Sequence, residues 1–174
     1  MTILGIDPGT TRIGYAVVAQ ASSQKTIHTA SPINALAYGL LQIGKHLDRT
    51  TCGKHNYSYL KIARSFEKLI VGWKPNIIAL EKIFFAKNSK TAMAVAEVRG
   101  IIKMVSQKHN IEIMEFSPNE VKSGVTGYGL AQKSQVYKMI KMLLHIKKNI
   151  KIDDVSDALA VALMPLLSKK IEEN

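Results

Sequence analysis

The chain has 174 residues, 47% of them hydrophobic and 21% charged, which fits one compact domain and excludes wholesale disorder and collagen-like or coiled-coil architectures. No apolar run approaches the ~20 residues of a bilayer span, the N-terminus lacks the basic start of a signal peptide, and a lone cysteine, Cys52, leaves no internal disulfide or multi-cysteine zinc site. Against 13 acidic side chains stand 24 basic ones, a net charge of +11, and that excess makes a polyanion such as nucleic acid the leading partner class for a soluble, intracellular protein.

TILGID is a short apolar run closed by Asp7-Pro8-Gly9, and IGYAVVAQ resumes after Thr11-Arg12, which predicts a strand, a tight turn and a second strand. The stretch from Ala21 to Ala35 is polar, ALAYGLLQI reads as a third strand, and a loop follows around GKHLDRTTCGKHN. Three successive strands predict an antiparallel meander. From Tyr57, apolar residues at Leu60, Ala63, Phe66, Leu69 and Ile70 have helical spacing, and Gly72 with Pro75 closes that helix. NIIALE is nearly all apolar, as in a buried parallel strand, and it ends on Glu81.

After FFAKN, with Ser89 as cap, TAMAVAEVRGIIKMVSQKH is Ala- and Met-rich and helical by length, with Gly100 as its weak point. IEIMEF reads as another strand. Ser117-Pro118-Asn119-Glu120 combines a capping box with proline at the first helical position. Beyond a loop holding Gly124, Gly127 and Gly129, QKSQVYKMIKMLLHI gathers Val136, Met139, Ile140, Leu143 and Leu144 on one face. DDVSDALAVALM is the last helix, stopped or bent by Pro165. A meander followed by alternating helices and strands predicts an α/β domain over 1–168, a mixed sheet with helices packed on it, and a polar tail over 169–174.

The scarce carboxylates stand where charge is expensive. Asp7 follows ILGI, Glu81 follows NIIAL, and Asp154 and Asp157 precede ALAVALM. Two carboxylates on neighbouring strands and a pair three apart on one helix face can converge on hard divalent cations, and two such cations ~3.5–4 Å apart serve phosphodiester hydrolysis. Each residue also has a plainer reading: Asp7 as a turn residue, Glu81 as a solvated strand end, and Asp153, Asp154 and Asp157 as acids favoured at a helix N-terminus. What the plain readings leave unexplained is why a basic protein puts its few acids at the ends of its most apolar segments.

At these residues the sequence resembles the RuvC family of Holliday junction resolvases, nucleases of the RNase H-like superfamily. The resemblance runs in order through LGIDPGTTRIGYAVV, IIALEKIFFAKN, AEVRG, NEVKSGVTGYGLAQKSQV and DDVSDALAVAL and covers most of the chain. It implies an RNase H-like fold with a mixed five-stranded sheet. It also implies Mg²⁺-dependent cleavage of four-way DNA junctions, with two Mg²⁺ per site held by Asp7, Glu81, Asp154 and Asp157, and Mn²⁺ able to substitute. Phe84 then matches an aromatic that stacks on bases, and Lys122 and Lys133 match lysines beside the scissile phosphate. Lys87, in the same FFAKN segment, joins them as a DNA-binding residue. Without the resemblance, Phe84 or Phe85 fits a core position and the lysines fit solvated faces.

The resemblance further implies paired symmetric nicks by a homodimer, with the helix from Ser89 to His109 as its interface, work alongside a branch-migration helicase complex, and a place in the bacterial cytoplasm with the nucleoid, or in an organelle. The chain departs from the compact family form in its longer segments at 21–35 and 44–56; His46, Asp48, Cys52 and His55 in the second are too irregular for zinc and are read as a surface loop. GIDPGTT also resembles the phosphate turn of actin-like and chaperone ATPases, which need two such domains and hence a longer chain. The remaining alternatives are a YqgF-like RNA-processing nuclease and a non-catalytic junction-binding protein; four intact carboxylates argue against the latter, because without metal they would repel phosphate.

Overall fold

A computed structural model describes residues 1–21, 32–42, 55–82, 89–150 and 152–172. Phe84, Lys87 and the loop holding His46, Asp48 and Cys52 lie outside the described residues, as does most of the polar stretch after Ala21.

The elements run β1 (Thr2–Asp7), β2 (Arg12–Gln20), β3 (Ile33–Gln42), α1 (His55–Trp73), β4 (Ile77–Glu81), α2 (Ser89–Lys108), β5 (Glu112–Phe116), α3 (Pro118–Thr126), α4 (Lys133–Leu143) and α5 (Asp153–Glu172). They form one sheet in the order β3-β2-β1-β4-β5. β1, β2 and β3 pair antiparallel, while β4 joins β1 and β5 joins β4 in parallel. The expected meander and the switch to parallel pairing are both present. The parallel half follows from the helices between its strands, since a parallel pair needs a crossover long enough to return the chain to the same sheet end.

Alternation along the strands builds two cores. Ile3 and, across the sheet, Ile77 and Ala79 face α3, α4 and α5, whereas Leu4, Ile6, Ile78 and Leu80 face α1 and α2. α1 presents Ile62, Phe66 and Ile70 to the second core, and α2 presents Val98, Ile102 and Val105. Leu60, expected on the inner face of α1, is instead exposed, because the stripe that packs is rotated to Ile62, and burial of Ile62 with Phe66 outweighs one solvated leucine.

α5 is the central helix of the first core, with Leu159, Ala160, Val161, Ala162 and Leu163 all at 1% exposure or less. The sequence predicts that Pro165 stops or bends this helix, but α5 continues through Pro165 to Glu172. A mid-helix proline costs roughly 3 kcal/mol. Burial of Leu163, Met164 and Leu166 around it offsets that cost, each at ~1.5–3 kcal/mol.

Candidate active site

Strand register brings the first two acids together. Ile6 pairs with Leu80 across the parallel β1–β4 ladder, so the next residues, Asp7 and Glu81, end adjacent strands side by side. Asp7 shares the parity of Ile3, and Glu81 that of Ile77 and Ala79, so both carboxyls project toward α5. The start of α5 lies close against the strands at two glycines. A Cβ on Gly14 would collide with the Asp154 carbonyl, and one on Gly5 with the Ala158 carbonyl and Ala162. Only glycine permits that approach, and it delivers Asp154 and Asp157 to the strand ends.

The four carboxylates divide into two pairs with different electrostatics. Asp7 is pushed up to about 9 by burial first and then by Glu81, with Asp157 and Asp154 adding to the repulsion. Burial and repulsion favour the protonated form of Asp7, which can donate a hydrogen bond to Glu81. Burial likewise raises Glu81, opposed by the hydrogen bond from Asp7 and by Lys133 and Arg99. Two neighbouring half-buried carboxyls disfavour each other's ionisation, and a cation between them would remove that penalty.

The helix pair is balanced by basic side chains instead. Lys133, at the start of α4, reaches Asp157 Oδ2 at 3.2 Å and Asp153 Oδ2 at 3.6 Å. Burial works against the Lys133 charge, yet Asp157 and Asp153 hold its pKa above the usual lysine value. Burial raises Asp157 and Lys133 offsets part of that rise. Arg12, at the start of β2, places Nε 3.1 Å from Asp154 Oδ2. Asp154 and Arg12 are partly solvated, so this pair is a weak one.

Lys122 joins the site through α3. The capping box places the Ser117 N–H 2.6 Å from Glu120 Oε2 and the Glu120 N–H 3.2 Å from Ser117 Oγ, fixing where α3 begins. α3 ends at Gly127, whose φ of 77° is left-handed. A cleft of about 410 Å³ opens between α3, α4 and α5, bordered by Glu81, Lys122, Lys133, Asp153 and Asp157. Acid and base line one space, as a phosphate-cleaving cation site requires.

The donor set is all carboxylate oxygen, the chemistry preferred by hard divalent cations. Among the described residues, no three His, Cys, Asp or Glu side chains stand in ligating geometry. The acids are engaged with other partners: Asp157 pairs with Lys133 and Asp154 with Arg12, while the raised pKa of Asp7 favours a proton on it beside Glu81. The residues therefore fit a cation that displaces a proton and competes with two basic side chains.

Of the residues singled out in the sequence, Asp7, Glu81, Asp154, Asp157, Lys122 and Lys133 gather at this end of the sheet, and Phe84 and Lys87 lie outside the described residues. The sequence reading missed Arg12 and Arg99. Arg12 had a signal: the pairing of Asp7 with Gly14 gives Arg12 the same facing parity as Gly14, toward Asp154. Arg99 lies within the AEVRG segment of the resemblance, but that segment gave it no role, and only packing reveals which way it faces.

A mixed sheet in the order β3-β2-β1-β4-β5, whose two adjacent parallel strand ends carry acids against an acidic helix start, has the RNase H-like architecture. Solved structures share the fold: the chain superposes on the Thermus thermophilus RuvC structure with a TM-score of 0.83 at 23% identity, covering 99% of this chain and 97% of that one. T. thermophilus RuvC in complex with Holliday junction substrate gives 0.79 at 21% identity over 98% and 96%. The sequence then names the family. A family model described as crossover junction endodeoxyribonuclease RuvC matches residues 3–165, and the chain belongs to that family. It is 37% identical to the crossover junction endodeoxyribonuclease RuvC of Caldicellulosiruptor saccharolyticus over 97% of this chain and 93% of the relative. The corresponding protein of Natranaerobius thermophilus is 38% identical over 94% and 92%. Of the alternatives the sequence left open, the family match is to the resolvase. Among the described residues no helix is long and apolar enough to cross a membrane.

Proposed function

We propose that this protein resolves four-way Holliday junction DNA in recombination and repair by paired symmetric nicks, through Mg²⁺-dependent phosphodiester hydrolysis at Asp7, Glu81, Asp154 and Asp157. The observation that carries the reading is the convergence of two strand-end acids with the acidic start of α5 beside Lys133, in a RuvC-family chain of net charge +11. The oxygen-only donors favour Mg²⁺, with Mn²⁺ as the natural substitute. Asp7, Glu81, Asp154 and Asp157 would hold the cation, which would supply Lewis acidity for phosphodiester hydrolysis.

The chain's own residues do the rest. Asp7 and Glu81 give up their shared proton to become ligands. Lys133 exchanges Asp157 for a phosphate oxygen as the strand enters the cleft, and Lys122, across the same cleft, adds a second positive charge to the transition state. Phe84 and Lys87 contribute stacking and phosphate neutralisation beside the crossover, roles supported by the family resemblance and by the tolerance of aromatic stacking for any base. A DNA nuclease of this kind works with the nucleoid in the cytoplasm and alongside a branch-migration helicase complex. The test is nicking of a synthetic four-way junction against duplex DNA and structured RNA, with Mg²⁺ and with EDTA. Selective, EDTA-sensitive junction cleavage is expected, and equal cleavage of all three substrates would sink the reading.

Two matched nicks call for two identical sites related by twofold symmetry, and one chain has one tetrad. The outer face of α2 supports pairing there. Met93 and Met104 are 63% and 58% exposed at positions three helical turns apart, and Gly100 between them has open space where a Cβ would stand. Met104→Glu should convert a dimer of ~38 kDa to a monomer of ~19 kDa in light scattering. A dimer undisturbed by both Met93→Glu and Met104→Glu would place the interface elsewhere.

A further inference from the structure

Among the described residues, Arg99 is the only charged side chain that is buried, at 8% exposure. It stands on α2, on the side of the sheet opposite α5, next to Val98 and Ile102 of the second core. Its guanidinium forks. Nη1 donates to the backbone carbonyl of Glu81, and Nη2 donates to Glu115 Oε1. Lys103, one turn further along α2, reaches the same Glu115 oxygen at 2.8 Å.

These contacts meet at the place where β4 ends. The Lys82 N–H still donates to the Phe116 carbonyl at 2.8 Å. Arg99 ties the carbonyl of Glu81 to the side chain of Glu115 on β5, so one planar group fixes the last residue of β4 against its neighbour. The side chain of Glu81 leaves the opposite face, toward Asp7 and α5. Locking the carbonyl from below therefore sets the direction in which the carboxylate is aimed. A backbone carbonyl alone could be satisfied by a neutral donor, without the desolvation cost that a buried guanidinium incurs.

We propose that Arg99 is a positioning residue for the cation site: it holds Glu81 aimed toward Asp7 and α5 from the opposite face of the sheet, with Glu115 anchoring its fork. The inference rests on the reading of Glu81 as a cation ligand. Its test is Mn²⁺ binding by titration calorimetry on the full-length protein without DNA, for Arg99→Met, Arg99→Lys, Glu115→Gln and Glu81→Gln. Junction affinity in EDTA and single-turnover nicking are measured alongside.

Arg99→Met should weaken Mn²⁺ by about 10- to 100-fold, the usual scale for a group that orients a metal ligand. Nicking should fall with it while junction affinity in EDTA stays unchanged. Arg99→Lys should be intermediate, because an ammonium cannot span two acceptors as a fixed fork does. Glu115→Gln should weaken Mn²⁺ less than Arg99→Met, since the Glu81 carbonyl keeps its donor. Parental Mn²⁺ affinity in Arg99→Met, with Glu81→Gln weakened, would make Arg99 a purely structural residue. Parental affinity in Glu81→Gln would instead remove the ligand assignment beneath it. Should Arg99→Met fail to fold, parental affinity in both Arg99→Lys and Glu115→Gln would overturn the proposal.

Discussion

The two acid pairs are built on opposite electrostatic plans. Asp7 and Glu81, at the ends of β1 and β4, sit in a half-buried space and settle their mutual repulsion with a proton. Asp154 and Asp157, at the start of α5, settle theirs with Arg12 and Lys133. The first arrangement favours a proton that a bound cation would have to displace. The second keeps basic groups at hand that can transfer to a phosphate. A polyanion-cleaving site needs both, because ligands must be anionic while the surroundings of the substrate must be cationic.

The largest test of that difference is removal of a strand-end ligand. Asp7→Asn or Glu81→Gln should lower junction cleavage by more than about 10³-fold, measured under single turnover, because neither neutral side chain can replace an anionic ligand. Junction binding should survive, since the loss of a negative charge does not weaken attraction to phosphate. Near-normal Mg²⁺-dependent nicking in either variant would refute the site.

On the helix side the effect should be smaller. Lys133→Met should cost about 10²- to 10³-fold in cleavage, the scale of losing one preorganised charge donor to the transition state. The same variant leaves Asp157 without its counter-charge, so Asp157 should titrate at a higher pH than in the parent. An NMR titration of that carboxyl checks the second half, and an unmoved Asp157 would dissolve the pairing of lysine with helix acid.

The strand pair should reveal itself through pH. Its proton must leave before both carboxyls can ligate, and Asp7 holds that proton up to about pH 9. Divalent cation affinity should therefore rise by about tenfold per pH unit up to that point, with about one proton released per binding event. Calorimetry in buffers of different ionisation enthalpy counts the protons. A pH-independent affinity with no proton release would contradict the shared proton.

The smallest effect is on stability without cation. A buried acid whose native pKa is raised from 3.8 to about 9 binds more protons folded than unfolded between those values, so it costs stability as pH rises through that window. Asp7→Asn removes the cost. In EDTA at pH 8 the variant should melt above the parent, by about 2–4 °C for each kcal/mol relieved, and the gap should close toward pH 4. A variant that melts below the parent at pH 8 would show that Asp7 is satisfied in some other way.

The meander, the parallel strand ending on Glu81, the capping box at Ser117 and the amphipathic α4 were legible because each rests on local rules of alternation, capping and turn chemistry. The acid positions were legible for a related reason, since charge at the end of an apolar run is conspicuous in one dimension. The run of α5 through Pro165 and the rotation of α1 toward Ile62 were not, because burial of whole helix faces overrode local preference. Nor could the sequence show that Asp7 keeps a proton while Asp157 keeps a lysine. Parity says which face a side chain takes, but the pairing depends on distances across strands and helices that only the packed sheet sets. Arg99 marks the limit most plainly: its helix is predictable from composition, whereas its reach to the Glu81 carbonyl exists only because α2 lies beneath the ends of β4 and β5.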